Sequence, residues 1–445
     1  MLPLSCHPCP EGVGLSSQVE SAPAGPAELR VSLDRDLLNG TLALEAFWQA
    51  LRKDWRVLRY APAAFAGLPG TAATLLEAGD GPQIETLPYD GQVVDRLKAA
   101  QAAGQRVVMT TAGTEAFAGR VAQHLGCIDA VEMSADRTGL VPVAPTGPGA
   151  GLSRSLTVLR AMRPHQWVKN VLVFLPMIAD HGLTPANIGW TLLAFLAFGL
   201  VASSVYVLND LIDLPADRRH PTKCRRPFAS GALPLSYGRW MLPGFLGAGL
   251  LLAALGGPGL FLVMVLYAIL TTAYSMKLKG TLGADIIVLA LLYTLRIIAG
   301  AAVTGIVLSM WLLSFSVFLF LSLAAVKRLS ELVYIETEGG RGRAAGRAYT
   351  VEDRPVIAMI ATSAGFLSVL VLALFIDSPE VSAKYARPEI LWGLGLGLLF
   401  WISRTVLLAH RGLVDQDPVI FALSDRVSRL TAIFFALVFL AATLG

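Results

Sequence analysis

Nine apolar stretches of membrane-spanning length follow residue 154, and they constrain the fold of this chain more than any other feature. A helix needs about 20 mostly apolar residues to cross the hydrocarbon core, and within lipid a helix satisfies its own backbone polar groups. The sequence therefore predicts an all-α polytopic membrane bundle of about nine transmembrane helices over residues 154–445. The stretches are centred near Val173, Leu200, Leu246, Val263, Leu295, Phe318, Leu370, Leu398 and Phe435.

The first third of the chain has a different composition. Residues 28–137 alternate short β-type runs such as "QRVVMTT" with segments of helical periodicity such as "GQVVDRLKAAQAAG", which predicts a small soluble α/β domain. A tail of residues 1–27, predicted to be disordered, precedes it. A Pro/Gly-rich linker over residues 138–153 separates it from the membrane part. The chain is thus multi-domain.

Charge and cysteine content exclude some classes of protein. The net charge of +4 is small for 445 residues, so a nucleic-acid partner is not indicated. The four cysteines are scattered and provide neither a disulfide framework nor a zinc site, although Cys6 and Cys9 form an isolated CxxC.

Basic residues indicate the orientation in the membrane. Lys and Arg are concentrated on alternate connections between spans, whereas the connections near His181, Gly257 and Ile306 have none; the one near Lys384 and Arg387 is the exception. By the positive-inside rule, we expect an integral protein of the inner (cytoplasmic) membrane. Its soluble domain and active site would face the cytoplasm.

Acidic residues are concentrated on the same connections as Lys and Arg. The positive-inside rule concerns cations and does not explain this. Asp210, Asp213 and Asp217 are spaced i, i+3, i+7, which stacks three carboxylates on one helical face. Such repelling groups are tolerated around a divalent cation, and Mg²⁺ prefers carboxylate oxygens. These three aspartates are therefore predicted catalytic metal ligands for Mg²⁺. Pro215 disfavours helix at Leu214, so whether Asp217 joins the site is left open.

Cationic and polar side chains next to these acids predict phosphate binding, because a magnesium diphosphate site needs both. Arg296 lies about 16 Å of helical rise beyond Asp285, a depth at which charges usually face a bundle interior. A hydrated loop of randomly paired charges and a structural ion pair are the alternatives. Asp285 is a further catalytic candidate, and the last inner connection carries Asp415. The predicted substrate-binding residues are Arg163, Gln166, Lys169, Asn170, Asn209, Arg218, His220, Lys223, Arg226, Tyr274, Lys277, Lys279, Arg296, Asp417, Asp425 and Arg426.

The stretch "NDLIDLPADRRHPTKCRRP" resembles the first aspartate-rich motif, NDxxDxxxDR, of the UbiA superfamily of intramembrane transferases. "RPHQWVKNVLVFLP", "YTLRIIAGA" and "DPVIFALSDR" are similar to the branch that contains decaprenyl-phosphate phosphoribosyltransferase. The resemblance implies a UbiA-like fold of nine helices around a cavity open to lipid. It implies that Asn209 and the three aspartates bind Mg²⁺ and diphosphate, and that Arg218, His220, Lys223 and Arg226 hold phosphate oxygens.

The resemblance also implies the reaction. We expect transfer of phosphoribose from phosphoribosyl pyrophosphate to a polyprenyl phosphate, with release of pyrophosphate. The alternative is transfer of a polyprenyl group from its diphosphate to an aromatic acceptor such as 4-hydroxybenzoate. Prenyl-transferring members carry two or more aspartates in a second motif, where this chain offers only Asp285, and this departure favours the first reaction. A transport or lipid-binding protein is a third reading, and a homo-oligomer is left open.

The soluble part resembles a haloacid dehalogenase domain. The stretch "VSLDRDLL" aligns with the DxDGT motif of that family, keeps Asp34, and puts Ser32 in the place of the nucleophilic aspartate. Thr111 matches the second motif. Because an aspartyl-phosphate cannot form without the aspartate, the resemblance implies a degenerate module without phosphatase activity.

Overall fold

The computed structural model describes residues 28–134, 154–337 and 347–444, apart from residues 69, 80, 221, 380, 382–384, 415 and 416. The predicted tail, the predicted linker, Cys6, Cys9, Lys384 and Asp415 lie outside the described residues.

The amino-terminal part is a small α/β unit, as the sequence predicts. Its three strands form a parallel sheet in the order β1-β2-β3. Parallel neighbours require long crossover connections, and helices supply them here. A 3₁₀-helix, Trp55–Tyr60, follows the first α-helix. The strands are β1 Leu29–Ser32, β2 Val107–Thr111 and β3 Ala130–Met133, and the helices are α1 Leu42–Lys53, α2 Ala61–Ala66, α3 Thr71–Glu77, α4 Gly91–Ala102 and α5 Glu115–Leu125.

The predicted haloacid dehalogenase motif lies at the ends of two strands. Ser32 ends β1, Asp34 follows two residues later, and Thr111 ends β2. The Oδ2 atom of Asp34 accepts a hydrogen bond from the Ala112 amide at 3.4 Å and one from the Thr111 hydroxyl at 3.5 Å. Burial raises the pKa of Asp34. Membership of the haloacid dehalogenase family stays a prediction.

The rest of the described chain is helical. The helices are α6 Arg154–Met162, α7 Leu175–Ala179, α8 Pro185–Ile212, α9 Leu214–Arg219, α10 Gly238–Leu255, α11 Pro258–Met276, α12 Ala284–Thr304, α13 Met310–Thr337, α14 Arg354–Ile376, α15 Trp392–His410, α16 Pro418–Ser424 and α17 Arg426–Leu444. Eight of them are long and apolar enough to cross a bilayer: α8, α10, α11, α12, α13, α14, α15 and α17. This confirms the predicted membrane bundle.

The first predicted span differs from a continuous α-helix. The stretch around Val173 is a 3₁₀-helix, Pro164–Phe174, continued by the short helix α7. This segment lies very close to α12, because a Cβ atom placed on Gly300 would be 2.0 Å from the carbonyl oxygen of Val173. Only glycine permits that approach. Gly300 follows Arg296 by one helical turn, so the same approach brings the polar residues of the segment next to Arg296.

The α/β unit packs against one end of the bundle, called the inner end below. Leu211, Leu214 and Phe228 of the membrane part belong to the same apolar core as the α/β unit. At this contact Arg218 donates hydrogen bonds to both carboxylate oxygens of Glu45, at 2.7 and 3.1 Å, and to the Thr86 carbonyl at 3.0 Å. Glu45 is 1 % exposed. The two parts therefore share a buried, bidentate ion pair.

We expect Glu45→Ala to lower the free energy of unfolding by about 3–5 kcal/mol, because it leaves the guanidinium of Arg218 buried without its carboxylate. Thermal unfolding and limited proteolysis of the full chain measure the effect. The matched control is Glu85→Ala, which removes an exposed carboxylate 3.4 Å from Arg219 and should cost about 0–1 kcal/mol. Equal losses in the two variants would contradict a buried interdomain ion pair.

Candidate active site

The aspartate-rich motif bends at the inner end of α8. The helix ends at Ile212, and α9 restarts at Leu214 with Pro215 in its first turn, where the missing N–H is tolerated. Despite this break, Asp217 stays next to Asp210. The Nη1 atom of Arg226 lies 3.2 Å from Asp210 Oδ1 and 2.5 Å from Asp217 Oδ2. One guanidinium therefore joins the two carboxylates across the break.

The two oxygens of Asp210 differ in their contacts. The Oδ1 atom is paired with Arg163 and Arg226, whereas the buried Oδ2 atom accepts no hydrogen bond from any described residue. Asp213 is partly exposed and lies 3.4 Å from Lys279. Among the described residues no three acidic, histidine or cysteine side chains gather as a metal cage. The donor set fits a cation held by one or two carboxylates and completed by ligand oxygens, the usual arrangement for Mg²⁺.

A second group of charges surrounds Asp417. Lys169 lies 2.8 Å and Lys327 3.0 Å from its Oδ2 atom, and the Tyr293 hydroxyl donates to its Oδ1 atom at 3.0 Å. Asp417 also caps the start of α16 through the Val419 amide. Burial alone would raise the pKa of Asp417, but the charges of the two lysines outweigh burial and hold it below its usual value. The group carries one cation more than acids.

Arg296 is a buried guanidinium whose described contacts include no acid. It is 5 % exposed, and its Nε atom donates to Asn170 Oδ1 at 3.0 Å. Its remaining hydrogen bonds go to the Leu292 carbonyl and to the Tyr267 hydroxyl. Its charge also lies 5.4 Å from the centre of the Tyr293 ring. A buried charge without a counter-charge is costly, so an anionic ligand is expected here.

The three groups converge on one polar region. The ring of Tyr293 lies 5.4 Å from the Arg296 guanidinium, and its hydroxyl donates to Asp417. Arg163, which is paired with Asp210 and lies 5.5 Å from the centre of the Tyr206 ring, directly precedes the 3₁₀-helix that carries Lys169 and Asn170. The cations of this region outnumber its acids, so it suits ligands with several negative charges. The cations are Arg163, Lys169, Arg226, Lys279, Arg296 and Lys327, and the acids are Asp210, Asp213, Asp217 and Asp417.

Asp285 belongs to a separate, charge-matched cluster. Its carboxylate is paired with Arg328 and with Arg347, the latter at 3.1 Å, and it accepts a hydrogen bond from the Tyr274 hydroxyl at 2.8 Å. Glu331 is the second acid of the cluster and is paired with Arg328. Two acids thus balance two arginines. In this arrangement both groups hold α11, α12 and α13 together, and the catalytic role of Asp285 and the substrate contact of Tyr274 stay predictions.

Other predicted contacts also lie elsewhere. Arg218 is directed to Glu45 of the α/β unit, and its phosphate contact stays a prediction. Asp425 is paired with Arg404 at 2.7 Å and caps α17 through the Ser428 amide, which is a structural role. His220 accepts the Thr222 amide hydrogen within its own turn. The remaining predicted residues are exposed (Lys223, Lys277 and Arg426) or partly buried (Gln166 and Asn209).

Sequence reasoning missed several members of both clusters. Lys327 and Arg328 follow the apolar run centred near Phe318, and α13 continues to Thr337 and carries both residues in a helix. Arg347 follows a gap in the described residues. Tyr206, Tyr267 and Tyr293 lie within apolar helices, where a tyrosine is usually a packing residue. The signal that could have found Lys327 and Arg328 is their position at the end of an apolar run. For Arg296 the signal is its position inside such a run.

Comparison with known proteins identifies the class. Residues 171–415 match the model of the UbiA prenyltransferase family. The nodulation protein NoeC of Azorhizobium caulinodans is 38% identical over 285 residues, which are 63% of this chain and 92% of that protein. Decaprenyl-phosphate phosphoribosyltransferase of Mycobacterium tuberculosis is 40% identical over 212 residues, 43% of this chain and 66% of that protein.

A solved structure has the same fold. It is a UbiA homolog from Archaeoglobus fulgidus bound to GPP and Mg²⁺, with a TM-score of 0.50 and 19% identity, over 64% of this chain and 98% of that one. The chain belongs to the UbiA prenyltransferase family, and it is an integral membrane transferase.

Proposed function

We propose that the protein transfers phosphoribose from phosphoribosyl pyrophosphate to a polyprenyl phosphate and releases pyrophosphate. One observation carries the proposal: six cations surround a single polar region that contains four described acids, and the most deeply placed cation, Arg296, has no described acidic partner. Two phosphorylated substrates fit this excess of positive charge. An aromatic acceptor such as 4-hydroxybenzoate would bring a single carboxylate and no second phosphate.

Similarity supports the same substrate class. The relatives from Mycobacterium tuberculosis and Corynebacterium glutamicum are decaprenyl-phosphate phosphoribosyltransferases, 40% and 36% identical over the matched segments. The second motif also favours this reaction over prenyl transfer, because Asp285 is the one aspartate that it offers, where prenyl-transferring members carry two or more.

Different residues at the inner end would bind the metal ion, the pyrophosphate and the lipid phosphate. Asp210 and Asp213 would hold Mg²⁺, which neutralises charge on the departing pyrophosphate when bound. Arg163 and Arg226 are placed to contact pyrophosphate oxygens, and Asp217 keeps Arg226 in position. Arg296 and Lys169 would bind the lipid phosphate. The bond between ribose C1 and a pyrophosphate oxygen breaks, and a bond between C1 and a lipid phosphate oxygen forms. The lipid phosphate is already an anion, so no proton has to be removed.

A cavity of about 690 Å³ is placed to receive the lipid tail. Its lining is mostly apolar and comes from α7, the connection between α12 and α13, the start of α13, the outer halves of α14 and α17, and the start of α15. Leu175, Pro176 and Ile178 of the lining directly continue the 3₁₀-helix that carries Lys169 and Asn170. A phosphate at Arg296 and a prenyl tail in the cavity would thus lie along one segment. With the α/β unit in the cytoplasm, the water-soluble donor would arrive at the inner end and the lipid from the membrane.

Incubation of purified protein with Mg²⁺, labelled phosphoribosyl pyrophosphate and a polyprenyl phosphate tests the proposal. We expect a labelled lipid and one pyrophosphate for each lipid formed, and no product after chelation of the metal. No labelled lipid, together with prenylated acid from 4-hydroxybenzoate and a polyprenyl diphosphate, would overturn the proposal in favour of aromatic prenyl transfer.

A further inference from the structure

The surface of the α/β unit has an apolar patch that its own fold does not cover. Between α1 and α3, Trp55 is 66 % exposed, Leu58 52 % and Leu68 54 %, whereas Val57 and Ala64 of the same stretch point into the core. Three large exposed apolar side chains within one stretch of 14 residues are typical of an interaction site.

Cations flank this patch. Arg52, Arg56 and Arg59 are exposed around the three apolar side chains, and the Arg59 guanidinium lies 4.7 Å from the centre of the Tyr60 ring. The nearby acid Asp54 is used as a helix cap, since its side chain accepts the Arg56 amide hydrogen at 2.9 Å. An aromatic and aliphatic surface bordered by arginines has the chemistry of a segment that lies in an anionic membrane interface.

The patch lies beside the point where the chain enters the membrane. Arg239, in the first turn of α10, donates a hydrogen bond to the Phe65 carbonyl at 3.4 Å, and Phe65 belongs to α2, between Leu58 and Leu68. The neighbouring Trp240 is 69 % exposed, and the Arg239 guanidinium lies 5.1 Å from its ring centre. Tryptophan and arginine at the end of a membrane helix mark the headgroup level. The patch therefore continues this interfacial surface.

We propose that Trp55, Leu58 and Leu68, with Arg52, Arg56 and Arg59, form a membrane-contact patch that lies in the headgroup layer of an anionic bilayer. The partner is the lipid surface around the protein, and the patch attaches the α/β unit to the bilayer in addition to its packing on the inner end of the bundle. The proposal is independent of the reaction at the active site, because no residue of the patch belongs to that site.

Hydrogen exchange of the full chain in lipid nanodiscs tests the patch. We expect amides in residues 52–68 to exchange on the order of tenfold more slowly in nanodiscs of phosphatidylcholine mixed with phosphatidylglycerol than in phosphatidylcholine alone. The double variant Arg56→Glu/Arg59→Glu should remove the difference, as should high salt. The matched control, Arg96→Glu/Lys98→Glu, reverses two exposed cations of α4 outside the patch and should keep it.

Three results would overturn the proposal. One is equal exchange of residues 52–68 in both lipids. Another is loss of the lipid effect in the α4 control as well. The third is protection that depends on protein concentration in detergent, which would identify a second copy of the chain as the partner.

Discussion

Replacing Arg296 with glutamine is expected to stabilise the ligand-free protein and to inactivate it. Neutralising a buried cation that has no described acidic partner removes a desolvation penalty, so the melting temperature should rise by roughly 2–4 °C. Glutamine keeps a donor for Asn170. Activity should fall at least about a hundredfold, because a charged hydrogen-bond donor for the lipid phosphate is lost. Thermal unfolding and steady-state kinetics with varied polyprenyl phosphate measure the two effects, and the KM for the lipid should rise.

Arg328 supplies the matched contrast. It is 1 % exposed, as deeply buried as Arg296, but it is paired with both Asp285 and Glu331. Arg328→Gln leaves acids without their counter-charge and should cost about 3–5 kcal/mol of stability. The signs of the two stability changes are therefore opposite. Destabilisation by Arg296→Gln of similar size to that by Arg328→Gln would contradict a ligand-binding role for Arg296.

The second large effect is expected at Asp210. Asp210→Asn keeps the shape of the side chain but removes the negative charge from the oxygen that has no hydrogen-bond partner. If that oxygen holds Mg²⁺, turnover should fall by about a thousandfold, because several kcal/mol of transition-state stabilisation are lost. Turnover at saturating substrates, with Mg²⁺ varied, measures the effect, and the Mg²⁺ requirement should shift to higher concentration.

Asp377→Asn is the control for this prediction. Asp377 is an exposed carboxyl that caps the carboxyl end of α14, far along the chain from the motif. Its replacement should leave turnover and the Mg²⁺ dependence near wild type. Near-normal turnover of Asp210→Asn, in protein that still unfolds cooperatively, would exclude the proposed metal role.

The membrane part of the fold could be predicted because its physical signal is strong. A run of about 20 apolar residues has few alternatives to a helix, and eight of the nine predicted spans are such helices in the described residues. The first span could not be predicted correctly, since its conformation depends on contact with Gly300, far away in the chain. Hydropathy does not distinguish a 3₁₀-helix packed on a neighbour from a straight α-helix.

The candidate site was less predictable, because residue type does not determine which partner a side chain selects. Arg218 and Arg226 belong to one motif, yet Arg226 turns to Asp210 and Asp217 while Arg218 turns to Glu45. The sequence predicts a catalytic role for Asp285, whereas in the structure its carboxylate is paired with Arg328 and Arg347. The depth of Arg296 was a better guide, since a charge placed inside an apolar helix has to find a polar environment.

An experimental map of the protein with Mg²⁺, pyrophosphate and a short polyprenyl phosphate would test the central claim most directly. The account predicts pyrophosphate between the carboxylates of Asp210 and Asp213 and the guanidiniums of Arg163 and Arg226, with the lipid phosphate at Arg296 and its tail in the apolar cavity. Pyrophosphate bound at the Asp285 cluster, or a lipid phosphate remote from Arg296, would contradict it.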